Sequence, residues 1–193
     1  MCSVPSLAAD GARLYAPCVS CHGNRGEGNP ALNAPAIGGQ DATYLERQLI
    51  NFRTDRRGTH KAYAPVAQMR ALASTLSDAA AVTSVAKHIA SLPKSVATPA
   101  RGDLHNGNNQ YQGKCGSCHG TRAEGNAALK APRLAGLDAA YIKRQFAHFR
   151  DGVRGTNAQD IPGRQMAMMA KTLATERDLD DVIAYIHQQS QAK

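Results

Sequence analysis

The chain is long enough at 193 residues for one domain or two small ones, but it holds no Trp and only three Phe, so a small domain's core would be thin without an added apolar group. There is no run of 18 apolar residues to serve as a membrane-spanning helix. The formal charge of +8 is spread evenly over both halves without a recognition motif or an aromatic-rich basic stripe, which argues against nucleic acid as the partner.

From about Ser6 to Ala16 the pattern predicts a short helix with Leu7, Leu14 and Tyr15 as its apolar contacts. It leads into Cys18-Val19-Ser20-Cys21-His22, which recurs as Cys115-Gly116-Ser117-Cys118-His119. Two cysteines separated by two residues and followed by histidine form the attachment sequence for a c-type haem. The spacing sets both sulfurs on one side of a helical turn to add across the vinyl groups, while the histidine reaches the iron. A zinc site needs four ligands and a thioredoxin-like pair needs a βαβ setting, and neither half supplies them. We therefore expect two covalent haem c groups, on Cys18 and Cys21 and on Cys115 and Cys118, with His22 and His119 as iron ligands. The porphyrins also fill the core, so the haem-free chain is expected to be largely unfolded.

Sliding the sequence by 97 residues aligns Cys18 with Cys115, Glu27 with Glu124, Pro35 with Pro132, Tyr44 with Tyr141, Phe52 with Phe149, Met69 with Met166 and Ile89 with Ile186, without a gap from Cys18 to Leu92. The second lead-in, Asn106 to Gly113, differs by one residue, since Gly11 and Tyr15 match Gly107 and Tyr111 only across a gap. The repeat predicts a first domain over 1–92, a proline-restricted linker over 93–102 and a second domain over 103–193.

After each histidine a Gly-rich loop runs to Ala34-Pro35 and Ala131-Pro132. A ligating imidazole normally donates its other N–H to a carbonyl or carboxylate, and the carbonyls of Pro35 and Pro132 are the candidate acceptors. Asp41 and Asp138 are predicted to cap helices running to Arg53 and Arg150, with Leu45, Leu49 and Phe52 as a core stripe. Arg47, Arg53, Arg144 and Arg150 read as a solvated face, with haem propionates as the alternative partners. Gly58 and Gly155 end these segments, and an irregular loop is expected up to Met69 and Met166. Last helices at about Ser77 to Ser91 and Thr175 to Gln189 carry Val82, Val85, Ile89 and Leu179, Val182, Ile186 on one face, suited to packing on the lead-in helix.

A six-coordinate electron carrier needs a sixth ligand. Met69 and Met166 share the register inside a repeated Gln-Met pair, which leaves Met168 and Met169 to packing. Bis-histidine ligation is disfavoured because His60, His88, His105, His148 and His187 have no repeated counterpart. A thioether stabilises ferrous iron, so both potentials should be positive.

The attachment sites, the Ala-Pro-x-x-x-Gly segments, the Tyr-x-x-Arg-Gln helix and the Gln-Met loops resemble the dihaem cytochrome c4 family over nearly the whole chain. The resemblance implies an all-α protein of two tandem class I cytochrome c domains, and a periplasmic carrier rather than an enzyme. It would shuttle electrons between redox proteins of a respiratory or sulfur-oxidising chain. The expected partners are a terminal oxidase, a reductase or a dehydrogenase. The alternative is the electron-accepting subunit of a periplasmic dehydrogenase, for example one oxidising thiosulfate or sulfide, and behind it a haem enzyme. Four propionates lower the formal charge to about +4, which suits an acidic docking face. Without a leader ahead of Met1-Cys2, the chain is read as a mature exported domain whose signal peptide is missing, and Cys2 as a plain free thiol or terminal remnant, with a lipid anchor as the alternative.

Overall fold

The computed structural model describes residues 7–60 and 64–191, with the side chains of 7–9 and 64–65 left aside. Cys2 and the side chain of Leu7 fall outside the described residues. The chain divides into two compact units, one ending at Lys94 and the next beginning at Ser95. Both are helical, and among the described residues extended pairing is confined to the isolated bridges Asn29–Ala34 and Asn126–Ala131.

The first unit runs α1 (Leu7–Tyr15), α2 (Val19–His22), α3 (Ala42–Arg53), α4 (Ala64–Ser74) and α5 (Ala79–Ser91). Carboxylates start the long helices by satisfying first-turn amides: Asp41 accepts from the Tyr44 N–H at 2.8 Å and Asp78 from the Ala81 N–H at 2.8 Å. Helix α1 lies on α5. Gly11 permits the crossing, since a Cβ there would stand 2.6 Å from the Ser84 carbonyl oxygen. Tyr15, Leu45, Leu76, Val82, Val85, Ala86 and Ile89 form the core, and Cys18 packs against it.

The second unit repeats the order as α6 (Leu104–Lys114), α7 (Gly116–His119), α8 (Ala139–Arg150), α9 (Ile161–Met169) and α10 (Glu176–Gln191). Thr175 and Asp178 exchange side-chain and backbone bonds in a capping box at the start of α10. Helix α6 crosses α10 at Gly107, where a Cβ would collide with the Asp181 carbonyl. Tyr111, Ala123, Ala135, Val182, Tyr185 and Ile186 make this core, with Cys115 against it.

The stretch read as a linker is packed rather than free. Pro93 and Lys94 lie against Gly38 and Gly39 of the first unit. Beyond the division, Arg133 donates to the Ser95 carbonyl, Gln191 to the Ala97 carbonyl, and the Ala100 N–H to His187 Nδ1, all within the second unit. No described helix is long and apolar enough to cross a membrane.

Candidate haem-binding sites

Each attachment motif builds its own turn. In the first unit Pro17 opens a 3-10 turn at Ala16–Cys18 that runs directly into α2. In the second, the Cys115 carbonyl accepts from the N–H groups of Cys118 and His119 at 3.1 and 2.9 Å, closing α7 around the motif. The four motif cysteines form no disulfide and are half-buried except for the exposed Cys118. Burial pushes the Cys115 thiol up to about 11, against a lowering influence from Lys114. Burial, reinforced by Cys21, also raises Cys18.

His22 and His119 are buried, at 5% and 9% exposure. In each, Nδ1 lies 2.9 Å from a proline carbonyl, Pro35 for His22 and Pro132 for His119. A carbonyl oxygen only accepts, so Nδ1 carries the proton and Nε2 keeps its lone pair for a metal. Burial lowers the pKa of both imidazoles, with the carbonyl bond opposing it, which favours the neutral ligating form. The loops that carry these prolines are closed by backbone bonds. Gly28 donates to the His22 carbonyl at 2.9 Å, and Ile37 and Gly38 donate to the Gly26 carbonyl; Gly125, Leu134 and Ala135 repeat this on His119 and Ala123. Among the described residues no cluster of three or more His, Cys, Asp or Glu is disposed to hold a metal ion. The donor set of one buried imidazole beside two thiols therefore suits an iron that brings its own equatorial ligands, as a porphyrin does.

Met69 and Met166 lie on helices α4 and α9 rather than on the irregular loop expected, and both are half-buried. In α9 the reason is local: Asp160 accepts from the Gly163 N–H at 3.2 Å, and Pro162 occupies the first turn, where its missing N–H costs nothing. Met168 and Met169, expected to pack, are 64% and 40% exposed: Met168, two residues on, leaves Met166's face, whereas Met169, three on, stays beside it and is the less exposed.

The arginines also sort differently. Arg150 is exposed and ion-paired with Asp151 and Glu176, as a solvated face requires. Arg47 and Arg144 depart from it, stacking over Tyr44 and Tyr141 at 5.3 and 5.4 Å with Nε shielded from solvent. Sequence reasoning passed over Arg57 and Arg154, although they too recur at 97 residues. Each donates to a buried glutamine at 2.7 Å, Gln48 or Gln145, and stacks over Phe52 or Phe149 at 4.5 or 4.4 Å. Tyr15, expected as an apolar contact, and Tyr111, its gapped match, donate their hydroxyls to the carbonyls of Gly23 and Gly120 at 2.7 Å, directly after the histidines.

The Cytochrome c family profile matches residues 8–93 and 104–190, one match per unit. Cytochrome c4 of Pseudomonas aeruginosa is 33% identical over 187 residues, covering 93% of this chain and 87% of the relative. The chain belongs to the cytochrome c4 family. As a dihaem cytochrome c4 relative it carries two covalently bound haem c groups and transfers electrons. A crystal structure of reduced cytochrome c4 from Pseudomonas stutzeri superposes with a TM-score of 0.74 at 25% identity, covering 93% of this chain and 97% of that one. A thiosulfate dehydrogenase electron acceptor of Stutzerimonas stutzeri is 31% identical over 176 residues, covering 83% of this chain and 80% of that protein.

Proposed function

We propose that this cytochrome is a periplasmic electron shuttle in which Cys18 and Cys21, with His22 and Met69, hold one haem, and Cys115 and Cys118, with His119 and Met166, hold the other. The observation that carries the reading is the duplicated imidazole: buried, its Nδ1–H committed to Pro35 or Pro132, its Nε2 uncommitted, and directly following a pair of cysteines that form no disulfide. Haem iron supplies a one-electron couple. The chain supplies the rest. The thiols fix the ring covalently, the proline carbonyls hold the imidazoles in one tautomer and make them more basic, and the half-buried thioethers favour the ferrous state. Were Met69 and Met166 to join His22 and His119 as ligands, neither site would keep the open position that haem catalysis requires, which supports a carrier rather than an enzyme. Thioether attachment takes place outside the cytoplasm, which supports the periplasm as its compartment. Its net basic charge suits an acidic docking face on the donor or acceptor.

A second reading is supported by the relative of that name: the chain is the electron-accepting partner of a thiosulfate-oxidising dehydrogenase. Mass spectrometry of the exported protein is expected to show two haem additions, the purified ferrous protein to be reoxidised rapidly by a terminal oxidase, and the ferric protein to be reduced by a thiosulfate-oxidising dehydrogenase supplied with thiosulfate. One haem addition overturns the assignment of paired sites. Turnover of peroxide or thiosulfate by the purified protein alone overturns the carrier.

A further inference from the structure

The turn after the histidine is held differently in the two units. Both have a tyrosine hydroxyl on the first carbonyl, Tyr15 on Gly23 and Tyr111 on Gly120. The second unit adds two side chains on the next carbonyl. The Gln112 amide donates one hydrogen to the Thr121 carbonyl at 2.9 Å and the other to Tyr185 Oη at 2.9 Å, and the Tyr185 hydroxyl donates to the same Thr121 carbonyl at 3.2 Å. An amide nitrogen has two hydrogens, a phenol one hydrogen and free lone pairs, and a carbonyl two lone pairs, so the triangle closes with no group over-committed. Tyr185 comes from α10 and its ring lies 5.3 Å from that of Tyr111, so α6, α10 and the loop meet at the backbone beside His119.

The first unit cannot build this arrangement. The residue after Tyr15 is Ala16, which has no polar side chain, and the residue in register with Tyr185 is His88, whose ring lies tilted against Tyr15 with centroids 5.4 Å apart. The attachment motif itself records the difference. A Cβ at Gly116 would come within 2.7 Å of Gln112 Oε1 and 3.5 Å of Tyr111 Cε1, so glycine there makes room for the amide. The first unit pairs small Ala16 with bulky Val19 instead.

We propose that Gln112 and Tyr185, given space by Gly116, are positioning residues that clamp the turn after His119 and thereby tune the potential of the second haem. The inference rests on His119 as that haem's axial ligand. The His119 carbonyl is already tied to the Gly125 N–H at 2.7 Å, so the clamp fixes the main chain on the other side of the same residue. A fixed histidine keeps its Nδ1–H on the Pro132 carbonyl. That bond makes the ligand more basic and favours ferric iron. Releasing the clamp loosens it and shifts the second haem toward the reduced form.

The test is spectroelectrochemical titration of the holoprotein, resolved haem by haem, with paramagnetic NMR of the axial histidine rings. At a fixed applied potential Gln112→Ala and Tyr185→Phe are each expected to move the second haem's reduced-to-oxidised ratio up by about twofold to fivefold, the low end of a net hydrogen bond because the amide lies near solvent. The hyperfine-shifted His119 signals should move with it, and the first haem should stay in place. Gly116→Val should act like Gln112→Ala; if it fails to attach haem, Gln112→Ala decides alone. Equal shifts in both haems, or lowered thermal stability with no change in potential and histidine signals, overturn the clamp. His119→Ala separates the two levels. If it leaves the second haem's low-spin spectrum intact, the axial assignment falls; if it abolishes that spectrum while Gln112→Ala moves nothing, only the clamp falls.

Discussion

The crossing of α6 and α10 allows a paired test inside one helix. Gly107 and Gly113 both lie on α6, but a Cβ at Gly107 would enter the Asp181 carbonyl, whereas one at Gly113 meets nothing within 4 Å. Alanine in place of glycine favours either position by about 1 kcal/mol in a helix interior, and somewhat less near the end, where Gly113 sits. At Gly107 this gain is opposed by overpacking, about 3 kcal/mol because the obstacle is backbone on a packed helix and cannot rotate away. Gly107→Ala is thus expected to destabilise the second unit by about 2 kcal/mol and Gly113→Ala to stabilise it by about 0.5 kcal/mol. For a unit of this size the separation corresponds to about 10–20 °C in unfolding temperature. Thermal unfolding of the haem-loaded variants, followed by far-UV circular dichroism and Soret absorbance, reads it directly. Effects of the same sign and size at both positions would refute the reasoning, since only helix propensity would then be at work.

Three further outcomes are expected. Asp181 accepts from the Asn106 side chain and the Asp103 N–H, both at 2.8 Å, and these bonds hold its carboxyl below the usual carboxylate range. The unfolded chain then takes up the proton first as pH falls, so this stabilisation is complete above about pH 5 and is lost as the pH drops through the usual range toward the lowered folded value. Asp181→Asn should flatten the acid limb of the second unit's stability curve, measured by urea unfolding at stepped pH; an unchanged slope contradicts the assignment. Met69→Ala and Met166→Ala should each remove one haem's share of the weak red absorption of ferric sulfur-ligated haem, and Met168→Ala should not, because that side chain is exposed. Electron transfer to an acidic partner should slow as ionic strength rises from about 0.01 to 0.15 M, and a rate indifferent to salt shows that charge does not guide docking.

Local chemistry was legible in the sequence because it needs only neighbours along the chain. Cys-x-x-Cys-His closes within one helical turn, Asp41 and Asp138 cap with the amides two and three residues on, and the apolar faces of α5 and α10 follow from spacing alone. The internal repeat showed the duplication, and the helical spacings together with the family resemblance gave the all-α class. Distant groups meeting in space were not legible. Whether Arg47 was solvated or stacked depended on the fall of the Tyr44 ring, and nothing in the spacing of Arg57 showed that Gln48 and Phe52 would receive it. The helices under Met69 and Met166 were missed because their mixed pattern looks like loop until Asp160 is seen capping the second. The asymmetry at the His119 turn lay deeper still. Gln112, Gly116 and Tyr185 are unremarkable in the sequence, and only the packing of α6 on α10 brings an amide, a phenol and the absence of a Cβ to one carbonyl, since hydrogen bonds across elements depend on tertiary distance rather than sequence spacing.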